Sequence, residues 1–151
     1  MNRKTGIKQL QITRGALLKF LQEIDEETAA IQPKGFNNTL QWHTGHILTA
    51  AESFMFGKEF EHLPKEYTGL FGYGSKPSDW TAAAPSIRVM EAQLKEQSER
   101  IQALPEEVFE KNLPEPFIGL ETVGELYGMM IYHEAEHLGQ MKAMKRILDA
   151  E

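Results

Sequence analysis

Apolar residues return at helical spacing along most of the chain. Over residues 4–32, Ile7, Leu10, Leu17, Leu18, Leu21, Ile24 and Ile31 recur every three, four or seven positions, with Arg14 on the same stripe. Pro33 and Gly35 end this segment. Asn37 and Asn38 are N-cap candidates for a second helix, which carries Leu40, Trp42, Ile47, Ala50, Phe54 and Phe56 and stops near Gly57. From residue 57 to 80 the pattern breaks among Gly57, Pro64, Gly69, Gly72, Gly74 and Pro77. A structureless connection of that length is uncommon and points to a crossover or a functional loop. Pro85 can open a third helix as its first residue, with Ile87, Met90, Leu94, Ile101 and Leu104 on one face up to Pro105. A short turn over 105–113 is broken by Pro114 and Pro116. The fourth helix starts most clearly, because Thr122 and Glu125 form a capping box. Leu126, Met130, Met141, Met144 and Leu148 mark its face, and Lys142, Lys145 and Arg146 suit the negative C-terminal dipole.

No stretch shows a strand period, so the expected fold is an all-α four-helix bundle. The short first connection favours antiparallel neighbours. The long second connection lets the second and third helices run parallel.

Composition narrows the classes. A chain of 151 residues is expected to form one domain, 1–151. With no Cys there are no disulfides, thiolate metal sites or Cys nucleophile, which fits a reducing, cytoplasmic setting. A net charge of −6 without a basic cluster argues against nucleic-acid binding. The N-terminal charges have no apolar run behind them, so no signal peptide is expected, and no apolar stretch is long enough to span a membrane.

The candidate chemistry lies in five histidines: His43, His46, His62, His133 and His137. His133 and His137 are four apart, so their rings sit one turn apart on one helix face and can converge on one ion. They share the stripe of Leu126, Met130, Met141 and Met144, which should face the interior. A plain pair of core histidines bonded to carbonyls is the competing reading. A third ligand must come from another helix. His46 lies about 12 Å into the second helix, and the His pair about 21 Å from the end of the fourth, so antiparallel packing brings the levels near each other. The helical wheel does not choose between His43 and His46. His62, in the long connection, reads as a solvated surface residue.

Residues 133–137 also spell H-E-x-x-H, the zinc-protease signature. Such proteases need a downstream third ligand and a strand to align the peptide. Only 14 residues follow His137 and none is His, so this match does not make a protease. Glu134 points about 100° from His133, toward the helix flank. Glu136 stands beside His137 as a candidate outer acceptor or proton relay. Each is otherwise a solvated carboxylate.

With these residues in view, the chain resembles the DinB/YfiT-like superfamily of metal-binding four-helix bundles. Asn38-x-x-x-Trp42-x-x-x-His46 and His133-x-x-x-His137-Leu138-Gly139-Gln140 carry the resemblance, with Leu138 where the family often has a basic residue. It covers nearly the whole chain. The resemblance implies an up-down-down-up bundle, a homodimer, and a divalent metal on His46, His133 and His137 with open positions for water or substrate. Zinc or nickel are the first candidates for that ion, with iron, manganese or cobalt as alternatives.

Relatives with assigned activity use low-molecular-weight thiols such as bacillithiol in S-transfer or isomerisation. The chain is accordingly expected to be a metal-dependent S-transferase or hydrolase acting on a small molecule, with no catalytic residue assigned. A non-catalytic, stress-associated metal-binding protein is the alternative. Tyr73 and Trp80, late in the long connection, are candidate pocket walls.

Overall fold

The computed structural model describes residues 2–151. Helix α1 spans Arg3–Gln22 and is capped by Asn2, whose side chain accepts from the Thr5 N–H. The segment expected to run to residue 32 divides here. Asp25 starts a separate short helix, α2 (Glu26–Ala29), by accepting from the Thr28 N–H at 2.7 Å. Two acids in the first turn, Glu26 and Glu27, favour that start. Helix α3 is Leu40–Phe56, with Thr39 rather than Asn37 or Asn38 as its cap. The connection that follows is not structureless: it holds helix α4 (Tyr67–Phe71) and a single 3₁₀ turn at Pro77–Asp79. Ser86 caps α5 (Ile87–Gln102), so Pro85 lies just outside it. The short turn after Pro105 is α6 (Glu106–Phe109).

A hairpin, β1 (Asn112–Phe117) with β2 (Leu120–Thr122), corrects the expectation of no strand. Pro114 and Pro116 are tolerated because both strands of a two-stranded ribbon are edges. The ribbon is almost wholly exposed, so no alternation of polar and apolar residues announces it. Helix α7 spans Val123–Ala150 and begins with the expected capping box of Thr122 and Glu125.

Cross-helix contacts give the directions of the four long helices. Arg3 bonds the carbonyls of Gln102 and Leu104 while Arg88 bonds that of Leu21, so α1 and α5 are antiparallel. Gln41 reaches Pro85 and Arg100 reaches Glu52, so α3 and α5 are parallel. His46 meets His133 and His43 meets His137, so α3 and α7 are antiparallel. Gly6 packs on Tyr127 and Arg14 on Glu134, so α1 and α7 are parallel. The order is up, down, down, up. Among the described residues no helix is long and apolar enough to cross a membrane.

A buried polar network ties the bundle together. Arg14 of α1 and Glu134 of α7 form a bidentate pair at 2.8 and 2.9 Å. Arg14 also donates to Leu94 O and Gln97 Oε1 of α5. Gln97 in turn donates to Leu48 O and Glu52 of α3, and Arg100 closes on Glu52. All four long helices therefore share one chain of hydrogen bonds.

Two glycines test the packing in opposite directions. A Cβ at Gly45 would collide with the fully buried Phe71 ring, so Gly45 is what lets α4 approach α3. Gly15 has open space around it. Gly45→Ala should destabilise by about 1–3 kcal/mol through overpacking. Gly15→Ala should stabilise by up to about 1 kcal/mol through helix propensity. Urea denaturation of both variants checks the pair, and the same sign at both positions would contradict this packing.

Candidate metal centre

Helices α3 and α7 carry the four histidines of the site. His46 Nε2 lies 3.1 Å from His133 Nε2, and His43 Nδ1 lies 2.9 Å from His137 Nδ1. His46, His133 and His137 each present a nitrogen within 4.8 Å of the other two. Trp42 stacks flat on His46, with centroids 4.6 Å apart and planes 10° apart.

Hydrogen bonds away from the cluster set the tautomers. The Phe71 carbonyl accepts from His46 Nδ1–H at 2.7 Å, so the His46 Nε2 lone pair faces His133 Nε2. Asn38 Oδ1 accepts from His43 Nε2 at 3.0 Å, so His43 Nδ1 is an acceptor and His137 Nδ1–H donates to it. His137 Nε2 then carries a free lone pair. Partners of this kind commonly fix the rings of metal ligands.

The donor set fits a first-row divalent ion. Three imidazoles suit zinc, nickel or copper-like borderline ions. The 3.1 Å between His46 and His133 is close to the edge between two nitrogen ligands of a tetrahedral zinc site, about 3.3 Å.

Electrostatics keep these rings neutral, the form that binds metal. Burial, reinforced by the charges on His133, His46 and His43, lowers His137 to about 3. Burial, then His46, lowers His133 to about 4. Burial, then His46 and His133, lowers His43 to about 4. Burial also lowers His46, against the opposing bond to Phe71. In the unfolded chain an imidazole titrates near 6.5. The unfolded state therefore takes up protons first as pH falls. The stability of the metal-free fold should be complete above about pH 6.5 and decline as pH drops toward 4 and 3. Thermal melts of metal-free protein across this range check it, and an unchanged Tm from pH 7 to 4 would contradict it.

The histidines open onto a cavity of about 1080 Å³. Phe54, Phe117, Ile118 and Met129 form much of its apolar wall, and Phe54 meets His133 edge-on at 6.0 Å. Of the two aromatic walls expected, Tyr73 lies at the cavity but is fully exposed. Trp80 does not line it. Its ring packs against Phe71 and its Nε1–H donates to Leu70 O, so its role is packing.

Glu134 also differs from expectation. It is 1% exposed and committed to Arg14 (2% exposed), so it lies in the core and not on the helix flank. Glu136 is exposed, and so is His62, whose ring meets that of Phe56 at 5.9 Å. Reading the sequence missed Thr49 and Ser53, which line the cavity. Thr49 follows His46 by three positions and Ser53 by seven, so a helical wheel drawn from His46 finds both. The hairpin residues Phe117 and Ile118 had no such signal.

The model of one family, described as the DinB superfamily, matches residues 9–141. A comparison with curated proteins finds no match.

Proposed function

The chain belongs to the DinB superfamily, and from that premise we propose that it is a metal-dependent enzyme acting on a small molecule, with thiol S-transfer as its reaction. The observation that carries this is the convergence of His46, His133 and His137 at the wall of an open, largely apolar cavity. In this reading those three residues hold a divalent ion, zinc or nickel first, with iron, manganese or cobalt as alternatives. When bound, such an ion supplies Lewis acidity that lowers the pKa of a thiol or water ligand.

The chain's own residues do the positioning. Phe71 O holds His46, and Asn38 through His43 holds His137. Trp42 covers one face of His46 and keeps water from it. Glu134 is unavailable as a general base, because its carboxylate is spent on Arg14. That argues against peptide hydrolysis through H-E-x-x-H. Since the chain has no Cys, the thiol comes with the substrate. Its sulfur attacks an electrophilic carbon, the S–C bond forms, the leaving group departs with its electron pair, and the thiol proton passes to solvent.

The test is conjugation of a chloro-nitroaromatic or an epoxide to bacillithiol, glutathione, cysteine or coenzyme A. Metal-loaded protein should accelerate it, and metal-free protein and His133→Ala should not. Metal-dependent hydrolysis without any thiol would overturn the transferase reading. The non-catalytic alternative needs a fourth ligand, since structural zinc sites are closed by four, and His43 would have to give up its bonds to Asn38 and His137 to supply it. A bound ion coordinated by all four histidines, with no exchangeable position, would select it. A homodimer is proposed on the family resemblance, with sedimentation velocity as its test.

A further inference from the structure

The protein is acidic overall, with 22 Asp and Glu against 16 Lys and Arg. The cavity is the opposite. Its charged lining residues are Lys58 and Lys76, and no Asp or Glu lines it among the described residues. Three neutral imidazoles leave a bound divalent ion its full positive charge, which adds to the same sign. A cation is therefore disfavoured here and an anion favoured, against the character of the rest of the surface.

One further feature points to a ligand. The hairpin tip also lines the cavity. Ile118 is 70% exposed at φ +46, a left-handed conformation that strains a β-branched residue. Phe117 packs on Phe54 with centroids 5.8 Å apart. An apolar side chain held out in a strained turn beside a cavity contributes little to the fold, and a ligand for it to cover would account for the strain.

We propose that the cavity takes a small organic anion with an apolar aryl or alkyl body. The body lies against Phe54, Phe117 and Ile118, and Lys58 and Lys76 meet the negative charge. This rests on the reading of the site as a substrate pocket and names the class of molecule it accepts.

The test is calorimetric titration of the full chain, zinc-loaded and metal-free, with three probes sharing one body: phenylbutyrate, phenylbutanol and phenylbutylammonium. The anion should bind tightest and the cation weakest in both forms. Lys58→Gln with Lys76→Gln, at exposed sites that leave folding intact, should cost the anion about five-fold and leave the alcohol unchanged. Phe117→Ala should weaken all three by about ten-fold. Ile118→Asn, which suits the left-handed turn, should weaken binding while leaving the melting temperature equal or higher.

Equal affinity for the three probes, a preference for the cation, or no binding by either form would overturn the proposal. Failure to retain zinc while the metal-free chain keeps the anion preference would overturn the metal reading and support this one.

Discussion

Glu134→Ala is expected to lower the free energy of unfolding by about 3–5 kcal/mol, a large part of the roughly 5–15 kcal/mol that holds a domain folded. The substitution leaves the Arg14 guanidinium buried with only Leu94 O and Gln97 as partners. An uncompensated buried charge is the expensive outcome, more than the loss of the pair itself. Arg14→Leu combined with Glu134→Leu removes both charges and should recover most of the loss. Urea denaturation followed by circular dichroism measures all three proteins. A loss below about 1 kcal/mol for Glu134→Ala would be that of an exposed carboxylate and would contradict the network.

The second large effect is on metal affinity. His46→Ala, His133→Ala and His137→Ala should each weaken binding by more than about a hundred-fold. His43→Ala and Asn38→Ala act by orienting His137, so each should cost about 10–100-fold. His62→Ala, far along the connection, should cost nothing measurable. Competition with a chromogenic chelator reads all six variants on one scale. His43→Ala abolishing binding while His46→Ala leaves it intact would move the α3 ligand to His43.

The bundle was legible because its long helices carry one apolar face each and begin at readable caps, as Thr122 with Glu125 shows. Where a cap sits inside an apolar run, the periodicity hid it: Asp25 divides what looked like one helix. The hairpin was invisible because its strands bury almost nothing. The wheel could not choose between His43 and His46 because α3 is enclosed on most sides, with Trp42, His43, Gly45, His46 and Ile47 all buried. A helix without a solvent face has no reference direction.

Arg14 on an apolar stripe was the sign of a buried partner. That partner, Glu134, lies 120 positions away, and its neighbour His133 drew it into the wrong motif. Relative to His133 the 100° turn was correct. What the wheel lacked was α1, which packs on that side of α7 and turns a flank into core.

In the proposed function His46, His133 and His137 hold one divalent ion beside the cavity. Its most direct test is an anomalous difference map from crystals of protein stripped of metal and reloaded with zinc. One strong peak per chain is expected, within bonding distance of nitrogens from those three residues. No peak there, or a peak coordinated by other residues, would contradict it.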